Sequence, residues 1–141
     1  MAMSEGKTRI PPVDVDACPD DLRETLEEQR RLWGAPLYPY LFYARHAAYF
    51  RAAKMMWAAL QEEATRVPGA LRALVNRRVA WWNGCEYCQD AHAAKGRTLG
   101  VSTEKIQALN AYAESPLFSD VEKLVLEYAD AITDTRRDVD D

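Results

Sequence analysis

A chain of 141 residues is the length of one ordinary domain and can bury roughly two thirds of its unfolded surface. With 48% hydrophobic and 28% charged residues it is neither disordered nor fibrous, and a net charge of −4 offers no basic footprint for nucleic acid or an anionic membrane. Three cysteines, of which only two are close in sequence, do not form a secreted disulfide framework.

Along the chain, "MAMSEGKTRIPP" has no apolar stretch of a signal-peptide kind, and residues 1–18 read as an extended arm ahead of a single helical domain over 19–141. No apolar run approaches the roughly 20 residues that span a bilayer, so the cytoplasm is the expected location. A first helix opens after Cys18-Pro19, with Asp20 and Asp21 at the positive end of its dipole, and closes at Gly34. Pro36 and Pro39 then predict a turn or short helix leading into a longer one over about 41–64. Ala47, Phe50, Lys54, Met55, Ala58 and Ala59 lie near one side of that helix, and Met56, Trp57 and Leu60 widen its apolar surface.

Pro68-Gly69 breaks the pattern, and a helix over 69–82 follows with Leu71, Leu74, Val75, Val79 and Trp82 on one side. Asn83-Gly84 interrupts, a helix over about 85–98 comes next, and Gly100 ends it. Ser102 is an N-cap for "TEKIQALNAYAE". Ser119 and Glu122 form a capping box for a last helix with Val121, Leu124, Val125, Tyr128, Ala129 and Ile132 on one face. Nothing alternates with the period of a strand, so the fold class is all-α.

The chemistry concentrates in "WWNGCEYCQDAH". On a helix Cys85 and Cys88 are i and i+3, and His92 is i+4 from Cys88, so the three share a face. Cys85 falls near the helix start, where unpaired N–H groups and the dipole stabilise a thiolate and lower its pKa. The spacing also suits a disulfide, and His92 can exchange protons near neutral pH. Two other readings stand beside a redox pair: small apolar core thiols, and a metal site needing a fourth ligand from Cys18, His46 or a carboxylate. Covalent haem attachment is excluded, because Gln89 stands where a histidine is required.

The stretch "RRVAWWNGCEYCQDAH" resembles the core of the carboxymuconolactone decarboxylase / AhpD-like family, with its CxxC followed by xxxH. The likeness extends through "RIPPVDVD", "LYPYLFYARHAAYF", "PGALRALVNRRVAW", "LGVSTEKIQAL" and "LVLEYADAIT", about residues 9 to 134. The resemblance implies an all-α AhpD-like fold that packs into trimers, hexamers or dimers; no cofactor or metal is expected. It implies a CxxC pair cycling between dithiol and disulfide while reducing a peroxide or a partner protein's disulfide, with a dithiol donor restoring it. Position by position, Cys88 matches the attacking cysteine, Cys85 its resolving partner and His92 the relay histidine. Thiol chemistry taken by itself favours Cys85 as the lower-pKa sulfur.

Two departures follow from the same resemblance. The family's supporting glutamate falls twelve residues before the first cysteine, where this chain has Ala73. Glu62, Glu63, Glu86 and Asp90 are candidate substitutes, and Tyr87 is a further candidate proton donor. The resemblance also leads one to expect more helical sequence after "YADAITDTRRDVDD". The lactone-decarboxylating branch is disfavoured, since its chemistry does not use a CxxC pair.

Other readings compete at single residues. Arg77 or Arg78 either lowers a thiol pKa or forms a salt bridge; His46 starts a helix or lines a pocket; Cys18 is a bystander. Tyr38, Tyr40, Tyr43, Trp57, Trp81 and Trp82 pack the core and subunit contacts or line an access channel. Functions outside thiol redox chemistry are a non-catalytic helical oligomer with structural, metal-bound or oxidation-sensing cysteines, and an enzyme of the same fold with other chemistry.

Overall fold

The computed structural model describes residues 9–63 and 66–135, with the side chains of 61–63 not included. It divides into two compact units, Met1–Glu63 and Ala64–Asp141. Every regular element among the described residues is helical.

The first unit holds α1 (Asp20–Trp33), α2 (Tyr38–Tyr43) and α3 (Ala47–Glu63). Its core gathers Leu22 and Leu26 from α1, Leu41 from α2 and Phe50 from α3. Full burial of side chains this large stabilises by about 1.5–3 kcal/mol each. Val15–Ala17 within the expected arm form a turn of 3-10 helix, and Cys18 is buried with its thiol donating to the Asp14 carbonyl at 3.4 Å.

The long helix starts later than its apolar pattern suggests, at Ala47 rather than near 41. A turn at 44–46 separates it from α2, and His46 Nδ1 accepts the Tyr49 N–H at 3.2 Å. His46 is therefore a helix-start residue, satisfying one of the amides that a helix N-terminus leaves open. Phe50 and Ala53 of α3 are buried, whereas Met55, Met56, Trp57 and Leu60 are exposed.

The second unit is built on α4 (Gly69–Trp82), packed against α5 (Glu86–Thr98) and α7 (Asp120–Thr133). Leu74, Ile106, Leu109, Phe118 and Leu126 are the centre of its core. The segment expected as one helix after Ser102 is instead α6 (Thr103–Gln107) followed by a 3-10 turn over Ala108–Ala111. Ile106, Leu109 and Tyr112 are all buried. A spacing of three aligns side chains in a 3-10 turn, which accounts for the change of pitch.

The serine N-caps of α6 and α7 fall where the sequence places them. Ser102 accepts the Lys105 N–H at 3.2 Å, and Ser119 and Glu122 make the reciprocal capping box of α7. Glu122 also holds Lys105 Nζ at 2.6 and 2.8 Å.

The buried face of α7 is only partly the expected one, with Ala129 buried and Val125 half-buried as the sequence predicts. Leu126, Ala129 and Asp130 point inward, while Val121, Leu124, Tyr128 and Ile132 are exposed. The inward face keeps helical spacing but closes on a carboxylate. Asp130 receives Arg78 Nε and an Arg78 terminal nitrogen at 2.7 and 2.9 Å, Trp82 Nε1 at 2.6 Å and the Tyr112 hydroxyl at 3.0 Å. A buried charge is tolerable only when paired and hydrogen-bonded in this way. The Arg78 guanidinium also lies 4.4 Å from the Trp81 ring centroid. Of the two readings for Arg78, the salt bridge holds.

Candidate active site

The Cys85 backbone is extended, so it is the N-cap of α5 rather than a residue of its first turn. Gly84, at φ 64°, supplies the left-handed step that turns the chain out of α4. The Cys85 N–H donates to the Ala80 carbonyl at 2.9 Å, which ties the new helix to the end of the old one. Cys88 sits in the first turn of α5, and its N–H donates to the Cys85 sulfur at 3.2 Å. The two cysteines form a disulfide, with Cα atoms 5.3 Å apart.

His92, one turn beyond Cys88, is the third expected residue, and the three do come together. Cys85, Cys88 and His92 line one cavity of about 270 Å3. Its other wall comes from α4 and the turn after it: Asn76, Val79, Ala80 and Asn83. None of these seven positions holds a carboxylate, lysine or arginine. Burial pulls the His92 imidazole below its ordinary pKa, which keeps the ring neutral at neutral pH.

The remaining candidates fall elsewhere. Ala73 is buried, and a Cβ placed on Gly96 would lie 3.7 Å from its own, so it faces α5 one turn past His92. Glu86 and Asp90 are exposed, and neither they nor Tyr87 line the cavity. The side chains of Glu62 and Glu63 lie outside the described residues. Arg77 is half-buried, with burial lowering its pKa and Asp90 opposing that shift. Its Nε has no hydrogen-bond partner among the described residues. Among the described residues no group of three or more His, Cys, Asp or Glu is placed to hold a metal ion.

Sequence reasoning missed Asn76 as a site residue. Its signal was available: 76, 79, 80 and 83 recur at helical spacing on the face of α4 that leads into the CxxC. The family pattern points to 73 instead, three residues earlier on the same helix.

What the arrangement supplies is chemically specific. A disulfide at a helix N-terminus opens to a dithiol whose Cys85 sulfur already receives a backbone N–H. Such a contact favours thiolate over thiol. Beside it stands a neutral imidazole able to take the proton.

Comparison with known proteins bears on the same region. The Carboxymuconolactone decarboxylase family profile matches residues 46–131, which include the whole cavity. The chain is 35% identical over 112 residues to the uncharacterized protein YnjA of Escherichia coli (strain K12), covering 79% of this chain and 62% of YnjA. It is 37% identical over 62 residues to the uncharacterized protein YdfG of Bacillus subtilis (strain 168), covering 44% of this chain and 42% of YdfG. The chain thus spans less than two thirds of the length of these relatives. The crystal structure of an alkylhydroperoxidase AhpD core, an uncharacterized peroxidase-related protein from Ralstonia eutropha JMP134, superposes with a TM-score of 0.81. That match covers 94% of this chain and 70% of the other at 22% identity, a likeness of fold.

Proposed function

The chain belongs to the carboxymuconolactone decarboxylase family, and on that premise we propose that it is a thiol-dependent peroxidase or protein-disulfide reductase cycling Cys85 and Cys88 between dithiol and disulfide. The observation that carries this reading is the Cys85–Cys88 disulfide on the wall of a cavity shared with His92. The likeness of fold to the Ralstonia protein, itself described as peroxidase-related, points the same way.

In this reading Cys88 attacks the oxidant, as the family resemblance assigns and against the backbone N–H that favours a Cys85 thiolate, with neutral His92 one turn away accepting its proton. With a hydroperoxide the terminal oxygen passes to Cys88 as a sulfenic acid, and the alkoxide leaves with a proton returned from His92. Cys85 then attacks the Cys88 sulfur, the S–S bond closes, and hydroxide departs as water. With a disulfide substrate, a mixed disulfide on Cys88 takes the place of the sulfenic acid. A dithiol donor reduces the pair to complete the cycle.

The lengths involved agree with a bond meant to open. Loop-closure entropy for so short a loop is about 2 kcal/mol, against about 4.7 kcal/mol for a 100-residue loop. The bond between neighbours three apart adds little as a staple.

The same reading places the protein in the cytoplasm, where a CxxC is kept in exchange with dithiols. Among the described residues no helix is long and apolar enough to cross a membrane. The exposed apolar side chains of α3 and of α7 are the surfaces for a homo-oligomer. Single-turnover oxidation tests the assignment. Reduced protein treated with one equivalent of hydroperoxide or of a disulfide-bonded protein should lose two thiols and gain the Cys85–Cys88 bond by mass mapping. Cys88→Ser should abolish the reaction. Two thiols that stay alkylatable after both oxidants would sink the proposal.

A further inference from the structure

The cavity is mostly apolar, and no charged side chain lines it. Val79 and Ala80 are its apolar lining residues, and Asn76, Asn83 and His92 its polar ones. Among the described residues the side chains of Asn76 and Asn83 and the His92 ring make no hydrogen bond or ion pair. Asn76 and Asn83 are exposed and His92 is half-buried, so each can exchange water for an entering molecule without breaking a hydrogen bond within the protein. At about 270 Å3 the space suits a molecule of a few heavy atoms.

An amide pairs well with oxygen and poorly with sulfur, so free carboxamides beside a sulfur pair favour an oxygen-bearing oxidant. An ionised ligand would meet a lining that offers no opposite charge to pair with it. Asn76 stands in α4, facing the cavity alongside the α5 residues that carry the thiol chemistry. We infer that Asn76 is the specificity-determining residue of this site: its carboxamide seats the oxygen pair of a small uncharged hydroperoxide at the cysteines, and its lack of charge turns anionic hydroperoxides away.

This inference rests on the thiol-redox reading above. The chemical balance is unchanged: one hydroperoxide and two thiols give an alcohol, a water and the Cys85–Cys88 disulfide, with a dithiol reducing the bond afterwards. Asn76 exchanges no electrons and no proton. It holds the oxidant by a hydrogen bond that strengthens as charge develops on the departing oxygen.

The test uses the pre-reduced full chain in single-turnover mixing with tert-butyl hydroperoxide and with a carboxylate-bearing hydroperoxide of similar size. Disulfide closure is followed by thiol titration. Wild type should prefer the uncharged oxidant by about tenfold, the scale of one unit charge facing an uncompensated wall near the surface. Asn76→Leu should slow closure by the uncharged oxidant about five- to tenfold, the loss of one hydrogen bond. Asn76→Gln should recover most of that rate. Asn76→Lys should bring the preference to unity or invert it, a change that a purely structural role would not produce.

Equal wild-type rates with the two hydroperoxides, or a preference unmoved by Asn76→Lys, would overturn the inference. If a disulfide-bonded protein closes the pair and no hydroperoxide does, the inference falls while disulfide exchange stands. If neither oxidant closes it, the redox reading falls too.

Discussion

Replacing Asp130 with Asn removes one charge and almost no volume from the centre of the second unit. Asp130 and Arg78 are 6% and 7% exposed, so the guanidinium left behind has no water to turn to. Its two contacts to the carboxylate, at 2.7 and 2.9 Å, are bidentate, and Trp82 and Tyr112 donate to the same two oxygens. An amide keeps one acceptor oxygen and turns the other into a donor facing donors. Removing one member of a buried pair of this kind costs about 3–5 kcal/mol. At about 3 °C per kcal/mol for a chain of this size, the melting temperature should fall by about 10–15 °C. Urea unfolding followed by circular dichroism measures the free energy. An Arg78→Met, Asp130→Asn double variant should lose less than the sum of the two single losses, because the stranded charge goes with its partner. Tyr112 provides a second readout. Burial and the Asp130 carboxylate push its hydroxyl up to about 12, so in wild type its stabilising contribution is complete below about pH 10 and lost as pH rises through about 12. In Asp130→Asn the late tyrosine step in a near-ultraviolet titration should move down towards 10. Asp130 itself is raised by burial but lowered further by Arg78, Trp82 and Tyr112, with a net lowering. Its contribution is thus present above about pH 3.9 and lost as pH falls through the lower folded value. A loss under about 1 kcal/mol for Asp130→Asn, or strict additivity in the double variant, would refute this account of the network.

In the oxidised protein, the His92 imidazole should titrate by NMR below its ordinary value of about 6.5, since burial lowers it. The unfolded chain then binds the proton first, so the stability tied to neutral His92 is present above about pH 6.5 and is lost as pH falls through the folded midpoint. His92→Leu should remove that slope, and a midpoint at or above 6.5 would contradict the burial argument. Gly84→Ala should destabilise by about 1 kcal/mol in urea, because the penalty is the left-handed backbone and not a clash: a Cβ there has open space within 4 Å. Gly84→Asn should lose less, since asparagine tolerates that conformation, and equal losses for the two would point to packing instead.

The helices, their caps and the grouping of Cys85, Cys88 and His92 were legible because each is set by residues within one or two turns of one another. Ser119 with Glu122, and a cysteine pair followed by a histidine, are local statements that tertiary packing does not reverse. The inward face of α7 was legible only in part. Val121, Leu124, Tyr128 and Ile132 form the more apolar stripe, yet the core took the stripe containing Asp130. The reason is a partner 52 residues away: Arg78 makes Asp130 a burial-competent group, and no local pattern contains both. The same cause hid Asn76, whose place on the cavity depends on α5 lying against α4. Its amide looked like one more polar residue on a solvated face.

α4 presents two faces, and on the proposed redox reading their separation lets the site keep its geometry through the cycle. On the α7 side, Arg78 and Trp82 lock the end of the helix to Asp130. On the α5 side, Asn76, Val79, Ala80 and Asn83 face the cysteines. Reducing the disulfide removes a covalent tie between Cys85 and Cys88. It leaves the Cys85 N–H on the Ala80 carbonyl and the Trp82 indole on Asp130, because neither depends on the sulfurs. On the redox reading proposed above, the wall assigned to the oxidant is anchored from the opposite face of α4, by a network that does not include the sulfurs. A site whose geometry rested on the disulfide would open with it and lose the oxidant's seat when the dithiol most needs it. Here the proposed seat belongs to a helix fixed elsewhere, so that reading asks the short Cys85–Cys88 link to break and re-form without moving it.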